Sequence, residues 1–201
     1  MQELGSTLPI SSECERADAA RNRRLLLEAA ATLIERHGAA GVTMDALARE
    51  AGVGKGTVFR RFGNRTGLMR ALLDHSETEL QQAFIAGPPP LGPGAPPLDR
   101  LLAYGRARLQ MHADHLDLLL EADESGVERF RHPVWAASTA HVTMLLRQLG
   151  VSETTVLAIA IQAPFEAASL AHMTTGLGLD LLEVTAQWEL MVRALVAGAG
   201  V

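Results

Sequence analysis

Residues Met44–Phe62 read MDALAREAGVGKGTVFRRF, and both the fold and the task of the chain turn on how this stretch is taken. Gly52, Gly54 and Gly56 bracket Lys55, and Thr57 follows, which invites comparison with a loop that cradles nucleotide phosphates. Such a loop needs G-x-x-x-x-G-K-[ST] between a strand and a helix, so that backbone N–H groups converge on the phosphates. Here Gly56 rather than a hydroxyl residue follows Lys55, and Arg49 stands where the first glycine belongs. The dinucleotide pattern G-x-G-x-x-G fails too, because its third glycine would fall on Thr57. The segment ahead of the glycines is Ala-rich with helical spacing, not a buried strand.

A helix-turn-helix accounts for the same residues. It needs two short helices joined by a turn of three or four residues, usually with a glycine. Met44–Glu50, the turn Ala51–Val53 and Lys55–Phe62 supply that layout, with Thr43 as N-cap and Asp45 in the first turn. The second helix of such a motif lies in the major groove, its N-terminal residues against base edges. Gly54 and Gly56 weaken a helix but let its backbone approach DNA closely. Lys55, Thr57, Arg60 and Arg61 are then available for phosphates and bases, while Val58 and Phe62 face inward.

Working outward, the charge distribution agrees. The chain has 201 residues and a formal net charge of −5. Arg16–Arg70 holds 11 Lys+Arg against 5 Asp+Glu, whereas the rest holds 7 against 18. A basic block on an acidic body points to a polyanion partner for the first part and a different task for the second. Cys14 is the one cysteine, so there is no disulfide framework and no thiolate metal site. No apolar signal-peptide region precedes the first helix, and the longest apolar run, Val156–Phe165, is about half the ~20 residues a membrane span needs. A cytoplasmic protein with no membrane partner is expected.

Periodicity places helices along the whole chain and strands nowhere, so the expected class is all-α. Residues 1–15 read as a disordered arm and 16–63 as the DNA-binding domain. Residues 64–201 read as a second domain, beginning with a connecting helix over 64–86. The run GPPPLGPGAPP, 87–97, cannot be helical. Further helices are expected over Leu98–His112, Asp114–Asp123, Val134–Leu149, Ser152–Thr175 and Asp180–Ala197, with Pro164 bending the fourth of these. His132-Pro133 and a Ser152 cap make sensible helix starts.

The stretch VTMDALAREAGVGKGTVFRRFGNRTGLMRAL (Val42–Leu72), preceded by RRLLLEAAATLIERHG, resembles the N-terminal domain of TetR-family transcriptional regulators. The resemblance covers about residues 20–72, carried by Gly41, Thr43, Ala48, Gly52, Val53, Gly56, Thr57, Phe62 and Leu68. It implies a homodimeric all-helical repressor with a variable C-terminal domain that dimerises and binds a small effector. It also implies phosphate clamps at Thr43 and Arg65, at helix N-termini that favour anions. Three positions depart from the pattern. Phe59 replaces the usual tyrosine and loses a hydroxyl contact to phosphate, while Thr66 and Gly67 replace acidic and helix-favouring residues at the start of the next helix.

The acidic second part has no comparable motif. His112-x-x-His115 with Asp114 and Asp117 has metal-like spacing, but solvated residues at a helix junction explain it more simply, and no metal or cofactor is expected. No nucleophile turn or catalytic carboxylate pair is present, so no enzyme is expected. Val156, Ala160, Ala163, Ala167 and Leu170 form one face, and Leu181, Thr185, Trp188 and Val192 another. Through the resemblance these would pair with their copies in a dimer; the alternative is intramolecular core. Gln162, Phe165, Glu166, Ser169 and Met173, with Tyr104, Arg108, Met111, Trp135, Thr139 and Val142, compose a candidate effector pocket, mostly apolar with a few polar groups. Double-stranded DNA with a palindromic operator, a second copy of the chain and an unidentified small molecule are the expected partners. A helical ligand-binding or scaffold protein with a vestigial helix-turn-helix is the competing reading.

Overall fold

A computed structural model of the chain describes residues 10–121 and 133–199. These form helices joined by turns, with no strand among the described residues, as the periodicity predicts. Residues up to Leu72 make one compact unit and those from Leu73 a second.

The first unit contains α1 (Ile10–His37), a 3-10 turn (Ala39–Gly41), α2 (Met44–Glu50), α3 (Lys55–Phe62) and the opening turns of α4 (Arg65–Ala86). α1 begins at Ile10, ahead of the expected Arg16, while the rest of the expected arm, 1–9, lies outside the described residues. Leu26, Leu27, Ala30 and Leu33 of α1 are buried together with Leu47, Ala48, Val58, Phe62 and Leu68. The boundaries follow from local chemistry. Thr43 leaves the helix region at φ −114° and its hydroxyl accepts the Ala46 N–H at 3.0 Å, so α2 starts there. Gly52 sits at φ 65°, where an L side chain is strained, and this sets the turn between α2 and α3.

α4 is capped by Asn64, whose side-chain oxygen accepts the Gly67 N–H at 2.9 Å. A Cβ on Gly67 would stand 2.1 Å from the Phe62 carbonyl oxygen. The departure at Gly67 therefore has a steric cause: the entry to α4 runs too close to the end of α3 for a side chain.

The second unit contains the remainder of α4, then α5 (Pro97–Asp114), α6 (Leu116–Glu121), α7 (Pro133–Gln148), α8 (Thr154–Gln162), α9 (Ala167–Ala171) and α10 (Leu181–Ala199). α5 runs through the middle, packed on α7 and α10. Its Leu101, Leu102, Tyr104 and Leu109 join Phe84, Val142, Leu145, Ile161, Phe165, Leu170 and Trp188 in one core. α7 starts at Pro133, which has no N–H to leave unsatisfied there; His132 lies outside the described residues.

The helix expected over Ser152–Thr175 is broken. α8 gives way to a 3-10 turn at Ala163–Phe165, Glu166 adopts φ −56° and ψ 134°, and α9 is followed by a π-turn, His172–Gly176. Pro164 cannot donate to the α-helical ladder, so what the spacing suggested as a bend is a full interruption. The expected Ser152 cap is also displaced. Glu153 is the N-cap but makes no side-chain capping bond, while Thr154 is buried.

Trp188 of α10 lies directly on α5 at Gly105. A Cβ there would fall 1.8 Å from the indole edge. The Trp188 Nε1–H donates to the Ile161 carbonyl at 2.9 Å, which ties α8 to the same point. Gly105→Ala is predicted to destabilise the protein by about 1–3 kcal/mol through overpacking, read as a lowered urea midpoint. An unchanged midpoint would show that the indole is free to move off α5.

Candidate functional site

α3 has a buried side, Val58 at 0% and Phe62 at 8% exposure, and an outer side with Gly56, Phe59 and Arg60 exposed. Most cations of the first unit are already engaged within it. Lys55 Nζ pairs with Asp45 at 2.5 Å, Arg36 pairs with Glu50 at 3.1 Å, and the Arg23 guanidinium lies 5.8 Å from the Phe62 ring centroid. Arg61 donates to the Ala19 carbonyl at 2.8 Å and so ties α3 to α1. Arg65 donates to the Val42 and Ala39 carbonyls at 3.2 and 2.9 Å. Both are among the residues expected from the sequence to meet DNA; in this structure their guanidiniums lie on backbone carbonyls of the same unit. Arg60, by contrast, makes no hydrogen bond or salt bridge among the described residues, so its five donors are open. Thr43 accepts the α2 cap bond, and its own O–H remains able to donate outward.

The glycines separate into two kinds. Gly52 and Gly63 are required by their positive φ, 65° and 75°. Gly54 and Gly56 are not: neither has positive φ, and a Cβ on either would meet nothing within 4 Å. Gly56 within α3 costs about 1 kcal/mol of helix propensity relative to Ala with no internal return.

The second unit has a polar cluster inside its core. Arg108, 4% exposed, bonds Glu77 of α4 and donates to Ser138 Oγ of α7 at 2.6 Å. His112 Nδ1 donates to the Phe165 carbonyl at 2.5 Å, at the break after α8, and its Nε2 lies 3.8 Å from Glu77. Burial works against the Glu77 carboxylate, but His112 and Arg108 outweigh it and hold its pKa below the usual carboxylate value. Ser76 Oγ and His115 Nε2 are 2.9 Å apart. The His112/His115 pair is thus divided between different partners and is not solvated, and no group of metal-ligating side chains occurs among the described residues.

Four buried polar atoms find no hydrogen-bond partner among the described residues: Tyr104 Oη, His115 Nδ1, His141 Nε2 and Arg100 Nε. Each such atom costs about 1–3 kcal/mol if left so. Arg100 itself caps α4, donating to the Phe84 carbonyl at 3.2 Å near that helix's C-terminus. His141 stacks on Phe84 with centroids 4.2 Å apart, and Tyr104 lies 5.3 Å from the same imidazole.

Of the residues proposed for an effector, Tyr104, Arg108, Gln162 and Phe165 are buried in this core, with Met111 and Met173 partly buried against it. Gln162 donates to Thr139 Oγ1 at 3.1 Å. Trp135 and Glu166 are half-buried, whereas Ser169 points out of the cluster and is exposed. Thr139 also lines an open groove of about 510 Å³ on α7 with Ala140, Thr143, Met144, Arg147 and Gln148. Glu77, Ser138 and His141 carry no local signal in the sequence, because their partners lie on other helices, and the spacing of His112 does not point to its place in this cluster.

The residues expected at a dimer interface differ in exposure. Val156, Ala160 and Ala163 are exposed and Ala167 is half-buried, but Leu170, Trp188 and Val192 are core, and Leu181 and Thr185 are half-buried. The exposed apolar face of α10 is one residue round, at Leu182 and Leu190, 81% and 70% exposed, with Ala186 between them. On α8 the matching exposed residues are Val156, at 75%, and Ile159.

Residues 26–72 match the family model described as bacterial regulatory proteins, tetR family. The N-terminal unit is a TetR-family domain. Solved TetR-like structures share the fold across both units. A TetR-family transcriptional regulator from Streptomyces coelicolor aligns with TM-score 0.62 at 20% identity, covering 90% of this chain and 82% of that one. A protein described as a transcriptional regulator from Saccharomonospora viridis, in complex with choline, gives 0.63 at 17%, covering 87% and 96%. The SmeT–triclosan complex gives 0.56 at 16%, covering 87% and 91%. No curated protein is found to match the chain. No single described helix is long and apolar enough to cross a membrane.

Burial disfavours the imidazolium of both His115 and His141, and Arg100 adds repulsion at His141, whose pKa falls from 6.5 to about 4. The unfolded chain therefore takes up a proton near pH 6.5 that the folded chain refuses until about pH 4. Stability is full above pH 6.5 and drains as the pH falls towards 4, ahead of the carboxylates. Urea midpoints between pH 7.5 and 5 should fall for the wild type and fall less steeply for His141→Gln; equal slopes would contradict this.

Proposed function

We propose that the protein is a dimeric, ligand-responsive transcriptional repressor that acts in the cytoplasm, released from a palindromic operator by a small molecule, and not an enzyme. The empty space over Gly54 and Gly56, on the helix whose Arg60 is uncommitted, carries the DNA-binding part. Arg60 presents a fork suited to guanine O6 and N7. Lys55 and Thr43 supply phosphate contacts, Lys55 by exchanging Asp45 for a phosphate. Arg61 and Arg65 act by holding α3 and α4 in place.

Gly56→Ala is predicted to leave the melting temperature unchanged or raised, because the Cβ meets nothing and helix propensity improves. The same change should weaken binding to the protein's own upstream DNA at least tenfold. Lys55→Ala should reduce the slope of log K against log salt by about 1. Normal binding by Gly56→Ala would remove the interface from α3, and no gel shift at low salt with the wild type would favour a scaffold role.

Dimerisation is assigned to the exposed apolar side chains Val156 and Ile159 of α8 and Leu182, Ala186 and Leu190 of α10. Leu182→Asp with Leu190→Asp is predicted to give a folded monomer by light scattering, since neither side chain is in the core. A dimer that survives the double change would relocate the interface. We place the effector at the largely buried cluster of Tyr104, Arg108, Thr139, Gln162 and Phe165, where the Tyr104 Oη has no hydrogen-bond partner among the described residues. The choline and triclosan complexes of structurally similar proteins support a small-molecule site. Ligand that favours the non-binding state lowers operator affinity, and DNA lowers ligand affinity by the same factor.

A further inference from the structure

We infer that Phe59 is a specificity residue that reads a thymine, its ring and the bare backbone of Gly56 together receiving the C5-methyl group. This rests on the DNA-binding function proposed above. Phe59 is 47% exposed on the outer side of α3, although the core beneath it is closed by Val58 and Phe62. Residues three apart on a helix are neighbours, and helical side chains lean towards the N-terminus, so Phe59 and Gly56 share the outer side of α3. Nothing, the Phe59 side chain included, stands within 4 Å of where a Gly56 Cβ would be, so the backbone there is bare. Arg60, with its donors open, borders the same surface.

The chemistry of the ring narrows what it can touch. A phenyl group neither donates nor accepts a conventional hydrogen bond, so it cannot clamp a phosphate or pair with a base edge. Among the groups displayed in the major groove, the thymine C5-methyl is the apolar one. Contact with a deoxyribose would also suit a phenyl, but that contact would be indifferent to sequence and so is separable by experiment.

The test uses the full-length protein and a duplex selected by it from a random-sequence pool. Each dT of the recovered half-site is replaced singly by dU, which deletes the methyl and nothing else, and affinities are measured by fluorescence anisotropy at fixed salt. At one position per half-site the wild type should lose about fourfold in affinity, the worth of one buried methyl. Phe59→Ala should bind the dT and dU duplexes equally at that position, with an unchanged salt slope, and Phe59→Tyr should keep the preference for dT. The inference is overturned if no position responds to dU, if the response persists in Phe59→Ala, or if Phe59→Tyr is as indifferent as Phe59→Ala. A pool that yields no preferred sequence would instead sink the DNA-binding function, and this contact with it.

Discussion

Trp188 rests on Gly105 without room for a methyl group between them, and much of the second unit is arranged around that contact. The indole brings α10 onto α5, its N–H holds the Ile161 carbonyl at the end of α8, and its face meets Phe165 with centroids 5.3 Å apart. Tight interiors transmit size changes of a single methylene, so this approach also dictates which side of α10 faces inward. Once Trp188 and Val192 are committed to the core, Leu182 and Leu190 are left outside. The exposed apolar side of α10 is thus a consequence of where one indole sits.

The polar cluster beside that core depends on a different balance. Burying Glu77 and Arg108 removes two charges from water, a cost their attraction offsets only with good geometry and further bonds. Ser138 and His112 supply those bonds, and His112 extends the chain of contacts to the Phe165 carbonyl. That carbonyl belongs to the turn forced by Pro164, so the helix interruption has a fixed place in the network. Tyr104 and His141, which lie against each other, each retain a polar atom with no partner among the described residues.

In the first unit, the cations divide between holding the motif and presenting it. Arg61 and Arg65 serve backbone carbonyls, and Lys55 is balanced by Asp45. On α3 itself the exposed residues without such a commitment include Gly56, Phe59 and Arg60. A basic composition alone does not distinguish these roles, whereas donor accounting separates the arginines that hold the motif from those that do not.

The helix-turn-helix was legible because its signals are local. The Thr43 cap, the Gly52 turn and the apolar spacing act within about twenty contiguous residues, and the ends of α2 and α3 fall where those signals put them. The kink at Pro164 was equally local, though its depth was not. Tertiary structure decided what depends on distant partners. Periodicity shows that α10 is apolar on more than one side but not which side meets its own chain. Likewise nothing near Arg108 announces Glu77, 31 residues away, nor anything near Arg61 the Ala19 carbonyl. Caps and turns are settled by neighbours along the chain, whereas the partner of a buried charge or an apolar face is settled only when separate helices are brought together.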